Sequence, residues 1–409
     1  MSYLSHTLPN GLRIVHMPVD SPVSYCGFAV NAGTRDEESD EFGLAHFVEH
    51  MLFKGTKKRK SWHILNRMEA VGGELNAYTT KEETFVYSVF MEEHYNRAFE
   101  LLADLVFNSQ FPQKEIEKEV DVIMDEINSY KDNPSELIFD EFENYLFAGH
   151  SLGHNILGDE QSLLSFNSKS GSSFLERFYS QSNMVFLSMG RKPFSKIIKM
   201  VESAIGDVNF PTAKCNREIS PLINSFNRTD SKDTHQTHAL IGGKAYSLYD
   251  DKRICLFFLN NILGGPGMNS RLNLSLREKN GLVYNVESNV TSYTDTGFTY
   301  IYFGTDPKNK EKAISLINKE LKTLRDVRLT DNQLTAAKKQ IIGQMSVSND
   351  NKETLFLGLG KSVLHHNHYN SLPEVSAKIE KITTSDLLEV ANEVYIPNNL
   401  SSLIYEHNK

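Results

Sequence analysis

The alternation of apolar and polar positions divides the chain into short strands and longer helices. Runs rich in apolar and β-branched residues, bounded by Gly or Pro, predict strands at 11–19, 24–34, 84–91 and 184–190. Apolar residues also recur at helical spacing. These helical patterns begin at about 42, 61 and 93, continue over 112–147 and end near 180.

The second half of the chain repeats this order of elements. It contains predicted strands at 237–247, 297–303 and 400–406, and predicted helices at 253–265 and 310–325. Three pairs of segments superimpose at offsets of 210, 213 and 216 residues: HMLFKG on NNILGG, TFVYSVF on GFTYIYF, and FYSQSNMVFLSM on VYIPNNLSSLIY. A nearly constant offset favours a duplicated fold over coincidence among generic strand patterns.

We therefore predict an α+β fold with two homologous halves, each a mostly antiparallel sheet packed with helices. The first half covers residues 1–210 and the second half covers 233–409. A linker is predicted at 211–232, because this stretch has prolines and many small polar residues but no hydrophobic period.

Candidate chemistry is concentrated in the segment HFVEH of the first predicted helix. At about 100° per residue, His46, Glu49 and His50 share one side of that helix, opposite an apolar side. Two imidazoles four residues apart can bind one zinc ion, and a catalytic zinc site takes three protein ligands. Glu49 can then act as a general base.

The duplication sharpens this reading of the motif. The second half carries Leu256, Leu259 and Asn260 at the corresponding positions, so the fold itself does not need the three polar groups. A third zinc ligand is expected from the acidic helix that opens at Pro112. Glu119 and Glu126 lie seven residues apart on one face of it, and spacing alone does not choose between them.

Four segments together resemble the pitrilysin family of inverted zincins, which includes insulin-degrading enzyme and the mitochondrial processing peptidase. The segments are GLAHFVEHMLFKGT, GGELNAYTTKEETFVY, EKEVDVIMDEI and SRLNLSLREKNGLVYNV. The resemblance implies a pitrilysin-like (LuxS-like) fold and a zinc-dependent endopeptidase. It implies that His46, His50 and Glu126 hold one Zn²⁺ per chain and that Glu119 supports a ligand histidine.

The same resemblance implies roles for residues beyond the metal ligands. Glu49 is the expected base, and Arg277 and Tyr284 are expected to contact the substrate near the zinc. Asn76 and Ala77 lie on an expected strand edge, where a peptide would pair its backbone. His154 stands where relatives often have Arg, and we do not interpret it as a ligand.

Composition and charge limit the partners and the location. A net charge of −9 disfavours nucleic acid and anionic membranes as partners. Three widely spaced cysteines suggest free thiols rather than a disulfide framework. No export signal and no long apolar stretch is visible, so we expect a cytoplasmic protein.

The length of the chain predicts its assembly. Longer family members join four such domains around a closed chamber, so a chain of this length is expected to form a homodimer. Each site would receive Arg277 and Tyr284 from the opposite chain, and the substrates would be short unfolded peptides. Two alternatives stay open: a site-specific processing peptidase that needs an unlike partner, and a non-catalytic scaffold subunit.

Overall fold

The computed structural model describes residues 3–206, 208, 217–219, 223 and 225–407. The chain begins with strands and helices that follow the predicted order. The strands of this part are β1 (Leu4–Thr7), β2 (Arg13–Pro18), β3 (Val23–Val30), β4 (Glu74–Thr79), β5 (Thr84–Met91) and β6 (Met184–Gly190). The helices are α1 (Leu44–Leu52), α2 (Ser61–Glu69), α3 (Tyr95–Asn108), α4 (Gln113–Lys131), α5 (Pro134–Leu146), α6 (Glu160–Ser165), α7 (Ser168–Phe178) and α8 (Phe194–Ile205).

The remainder of the chain forms a second set of elements. Its strands are β7 (Asn227–Lys232), β8 (Thr237–Lys244), β9 (Val283–Ser292), β10 (Gly297–Thr305) and β11 (Leu400–His407). Its helices are α9 (Arg253–Gly264), α10 (Lys310–Asp326), α11 (Asp331–Ser348), α12 (Lys352–His366), α13 (Leu372–Lys381) and α14 (Thr384–Val394), with a π-helical segment at Asn273–Glu278.

The strands form two mostly antiparallel sheets with matching topology. The first sheet has the order β1-β2-β6-β3-β5-β4 and the second has the order β7-β11-β8-β10-β9. Each contains one parallel pair, β2 with β6 in the first sheet and β7 with β11 in the second. The two halves, each a sheet packed with helices, confirm the predicted fold class.

Residues contact one another in two compact units that are discontinuous in sequence. The first unit contains Met1–Asn128, His154–Glu218 and Asn349–Ser371. The second contains Ser129–Gly153, Ile219–Ser348 and Leu372–Lys409. Each unit therefore includes one helix from the other half of the sequence, α12 in the first unit and α5 in the second.

These two helices each cover one face of a sheet. In the first unit, alternate strand residues such as Ala29 and Leu187 pack with Phe356 and Leu359 of α12. The residues between them point to the other face, where Phe186 contacts Phe99 of α3 at a centroid distance of 5.4 Å. In the second unit, α5 packs in the same way on strand residues that include Leu240, Tyr302 and Leu403. Periodicity identifies the apolar stripe of such a helix but not the sheet that the stripe covers.

The predicted linker of 211–232 requires a correction at its end. Much of it lies outside the described residues, but Asn227–Lys232 forms strand β7. This strand is the counterpart of β2, and among the described strands it pairs only with β11. Its side chains are polar and largely solvent-facing, so it has no hydrophobic alternation from which a strand could be predicted.

Two observations bear on the remaining expectations from composition. Cys26 and Cys255 are buried free thiols, and Cys215 lies outside the described residues. None of the helices in the described part of the chain combines the length and the apolarity that crossing a bilayer requires.

Candidate metal centre

Helix α1 carries both candidate histidine ligands. Its backbone starts after Gly43, whose φ of 91° is a left-handed conformation that favours glycine. Leu44, Phe47, Val48, Met51 and Leu52 are buried and anchor the apolar side of the helix in the core of the first unit. His46 and His50 project from the other side, with ring centroids 4.5 Å apart.

Helix α4 carries Glu119 and Glu126, the two candidates for the third ligand between which spacing alone could not choose. Glu119 and Glu126 are two helical turns apart and therefore share a face. Ile116, Ile123 and Ile127 are buried along the same helix and fix its rotation. Glu119 is almost completely buried, whereas the side chain of Glu126 is 39% exposed.

The structure brings His46, His50 and Glu126 together. Oε2 of Glu126 lies 3.9 Å from Nε2 of His46 and 3.8 Å from Nε2 of His50. One ligand atom from each of the three residues lies within 4.8 Å of the others. Among the described residues, this is the one group of three or more His, Cys, Asp or Glu side chains with such spacing. Two nitrogen donors and one carboxylate oxygen suit zinc.

Glu119 contacts Nδ1 of His50, on the side of the ring away from Glu126, and does not join the ligand group. Its Oε1 lies 2.8 Å from Nδ1 of His50, so Nε2 of that ring is left to face Glu126. Its Oε2 lies 2.5 Å from Nζ of Lys54. Burial would raise the pKa of Glu119, but hydrogen bonds and charge from His50 and Lys54 outweigh it and lower that pKa.

Lys54 was missed by sequence reasoning. The available signal was weak: the residue lies four positions after His50, just beyond the end of α1. Because its partner Glu119 is distant in sequence, only the packing of α4 beside α1 reveals the ion pair.

Burial also prepares His46 as a neutral ligand. Desolvation lowers its pKa to about 3, and the neighbouring His50 acts in the same direction. A histidine must be unprotonated at the coordinating nitrogen to bind a metal. His46 is therefore neutral throughout the neutral pH range, and one of its ring nitrogens is free to bind a metal.

Glu49 lies on α1 between the two histidines but makes different contacts. Burial is the largest influence on its carboxylate and raises its pKa; a hydrogen bond from Thr79 acts in the opposite direction. Thr79 is the last residue of β4. Glu49 is therefore a half-buried carboxylate of increased basicity that lies between helix α1 and strand β4.

Strand β4 has a free edge. It pairs with β5 on one side, and no other described strand pairs with it. Asn76 and Ala77 lie in its middle, opposite Tyr87 and Val86 of β5. Gly72, which precedes the strand, has a φ of 71° and open space around its α-carbon. The outer backbone groups of β4 can accept a further strand.

Arg277 and Tyr284 both belong to the second unit. Arg277 lies in the π-helical segment and lines a cavity of about 540 Å³. Tyr284 lies at the start of β9 and is 86% exposed. A single exposed aromatic side chain is common on protein surfaces and does not by itself mark a binding site.

The second unit contains no metal-ligand group among its described residues. Leu256 and Leu259 of α9 are core residues there. Asn260 is also buried, and its side-chain amide donates a hydrogen bond of 2.7 Å to the carbonyl of Ser288. The duplicated helix thus serves packing in the second unit and carries ligand groups in the first.

Comparisons with known proteins agree on one family for both halves. Residues 15–160 match the model of the insulinase family, peptidase family M16. Residues 165–341 match the model of the peptidase M16 inactive domain.

Full-length relatives and solved structures show the same likeness. A Bacillus subtilis protein named an uncharacterized zinc protease is 31% identical over 98% of this chain and 97% of its own length. A Rickettsia bellii protein of the same description is 31% identical over 98% of this chain and 97% of its own. The crystal structure of a protease from Helicobacter pylori superimposes with a TM-score of 0.90, at 20% identity and 99% coverage of both chains.

Proposed function

This chain belongs to the insulinase family of peptidases, family M16, and from that premise we propose that it is a zinc-dependent endopeptidase acting on short unfolded peptides. The observation that carries the proposal is the convergence of His46, His50 and Glu126 from two helices. A family resemblance alone would also fit a subunit that had lost its chemistry. An intact donor set beside the half-buried carboxylate of Glu49, whose pKa is raised by burial, favours an active enzyme.

His46, His50 and Glu126 would hold one zinc ion per chain. Bound zinc supplies Lewis acidity, which lowers the pKa of water and polarises a carbonyl group. The donor set fits this ion, because three protein ligands leave one coordination position open. Glu119 orients His50 so that its Nε2 points to the site.

Glu49 would move the proton during hydrolysis. Its carboxylate accepts a proton from the attacking water and then donates it to the leaving amine. Burial raises the pKa of Glu49 and so brings its basicity closer to that needed near neutral pH. Thr79, at the end of β4, acts in the opposite direction and limits that rise.

The peptide would bind as an added strand beside β4. No described strand pairs with the outer edge of β4 around Asn76 and Ala77, and β4 contacts helix α1. Main-chain hydrogen bonds give affinity with little dependence on sequence. An extended peptide can bind in this way, whereas most backbone groups of a folded protein are already paired within it.

Arg277 and Tyr284 would complete the substrate site. We propose a two-fold symmetric homodimer that encloses a chamber, in which each chain offers these two side chains to the zinc site of the other. Tyr284 is strongly exposed, so its hydroxyl is accessible to a bound peptide. A phenol hydroxyl and a guanidinium can both stabilise an oxyanion.

This proposal is tested by incubating the purified protein alone with a mixture of unfolded peptides. Products are identified by mass spectrometry, and zinc is measured for the same sample. We expect several cuts without an added partner. Glu49→Gln should keep zinc and lose cleavage by about 10²- to 10⁴-fold, because only the proton transfer is removed. Glu117→Gln, an exposed carboxylate on α4, is the matched control and should cleave normally.

Each other outcome identifies an alternative. Cleavage only after an unlike polypeptide is added would favour a processing peptidase. A zinc-loaded chain that leaves every unfolded peptide intact would favour a scaffold subunit. A wild-type chain that binds no zinc would contradict the proposal as a whole.

A further inference from the structure

The first N–H groups of helix α1, which carries His46 and His50, are bound by a buried carboxylate that no sequence motif marks. Oε1 of Glu37 accepts a 2.7 Å hydrogen bond from the backbone N–H of Ala45, and Oε2 accepts one of 2.9 Å from Gly43. The side chain of Glu37 is fully buried. The first N–H groups of a helix have no partner within it and form the positive end of its dipole, so a carboxylate there satisfies both demands.

His154 holds the same carboxylate from the other side. Its Nε2 lies 3.0 Å from Oε2 of Glu37. The imidazole stacks on Phe42, with ring centroids 4.2 Å apart and planes inclined by 16°. The buried ammonium of Lys81 donates a hydrogen bond to the backbone carbonyl of His154. Both the ring and the backbone of His154 are therefore fixed.

The electrostatics of this pair favour one shared proton. Burial lowers the pKa of His154 to about 3, so its imidazole is not doubly protonated at neutral pH. Burial also raises the pKa of Glu37, while the N–H groups of Ala45 and Gly43 and the charge of Lys81 act in the opposite direction. A single proton between Nε2 and Oε2 satisfies both atoms.

The segment that carries Glu37 is tied to the turn between β4 and β5. The N–H groups of Thr34 and Arg35 donate to the carbonyls of Thr80 and Lys81, at 3.1 and 2.8 Å. The guanidinium of Arg35 also pairs with Glu82 at 2.6 Å, and both side chains are buried. This turn directly follows Thr79, the residue that contacts Glu49. The start of helix α1 and the end of strand β4 thus share one rigid support.

We infer that Glu37 is a positioning residue for the metal ligands, and that His154 keeps it in place. Ala45, whose N–H is bound to Glu37, directly precedes His46, so any shift of the helix start moves the first ligand. Metal sites tolerate deviations of only about 0.2 Å in ligand distance. The inference rests on the proposed zinc site, and it adds a requirement that the ligand motif itself does not contain.

Zinc affinity, measured by competition with a chromophoric chelator, tests the inference without any assay of activity. Glu37→Gln keeps the shape but offers only one acceptor oxygen, and we expect zinc binding to weaken by about 10- to 100-fold, the effect typical of residues that orient ligands. His154→Leu should weaken binding in the same direction. His154→Gln retains a donor near the position of Nε2 and should restore affinity to within about threefold of wild type, given that a neutral hydrogen bond remains.

Two further measurements separate positioning from simple stability. Glu41→Gln is the matched control, since Glu41 lies in the same segment and pairs with Arg177 but bonds to no N–H group of α1 through its side chain. It should leave zinc affinity unchanged. In the cobalt-substituted protein, Glu37→Gln should shift the visible absorption bands, which report ligand geometry.

Several results would overturn the inference. Wild-type zinc affinity and an unchanged cobalt spectrum in Glu37→Gln would do so, as would an equal loss of affinity in Glu41→Gln. If Glu37→Gln does not fold, the decision passes to His154→Leu, and wild-type affinity there would refute the role. A wild-type chain that binds no zinc would instead refute the proposed function first.

Discussion

The contact between Glu119 and His50 allows a quantitative prediction. Glu119→Gln keeps the size of the side chain and one acceptor oxygen but removes the negative charge. The hydrogen bond of 2.8 Å is partly buried, and a hydrogen bond to a charged group is worth about 1.5–3 kcal/mol. Lys54 would also lose its carboxylate partner.

Because the amide can still accept a hydrogen bond from His50, we expect the loss to stay below the upper end of that range. We expect zinc binding to weaken by about 10- to 100-fold, which corresponds to about 1.4–2.8 kcal/mol. The assay is chelator competition at pH 7.5. Glu115→Gln, on the same helix and paired with the exposed Lys118, is the control and should change affinity less than twofold, about 0.4 kcal/mol.

A double-mutant cycle refines the test. If Lys54 acts through Glu119, Lys54→Met should weaken zinc binding in the wild-type background and have little further effect in Glu119→Gln. Zinc affinity within twofold of wild type in Glu119→Gln would refute the reasoning, because the contact would then contribute nothing to ligand orientation.

Two further predictions concern the stability of the metal-free protein. Leu359→Ala on α12 should lower the free energy of unfolding by about 2–5 kcal/mol in urea titrations, because it leaves a cavity against the first sheet. Val347 is 77% exposed and serves as the control, and Val347→Ala should change the free energy of unfolding by less than about 0.5 kcal/mol. Burial lowers the pKa of His16 to about 4, so the unfolded chain binds a proton at this residue below about pH 6.5 and the folded chain does not. His16 should therefore lower stability between pH 6.5 and 4 by up to about 1.4 kcal/mol per pH unit. His46 and His154, whose pKa values burial also lowers, add to the slope over the same range, so His16→Gln should reduce the slope by the His16 contribution, and an unchanged slope would contradict the assignment.

The sequence was most informative where local pattern and chemistry coincide. The spacing of His46, Glu49 and His50 indicated a metal helix, and the constant offset between halves predicted two related sheets. Both depend on residues close in sequence or on a repeat of the chain against itself. Glu119 and Glu126 could be assigned to one helical face, but their different roles depend on how α4 packs against α1.

Features that depend on long-range packing were not accessible from pattern. Strand β7 has a polar sequence and exists because β11 offers it a parallel edge. The exchange of α5 and α12 between the units leaves no local signature, since each helix packs on strands that are distant in sequence. Glu37 and Lys54 are single charged residues whose partners lie far away in sequence, and each appears unremarkable until the fold pairs it.

Anomalous diffraction at the zinc absorption edge, from crystals of the zinc-loaded protein, is the most direct measurement of the central claim. The account predicts one strong peak per chain, within about 2.0–2.2 Å of Nε2 of His46, Nε2 of His50 and a carboxylate oxygen of Glu126. A peak bound to other residues, or one that excludes Glu126, would contradict it.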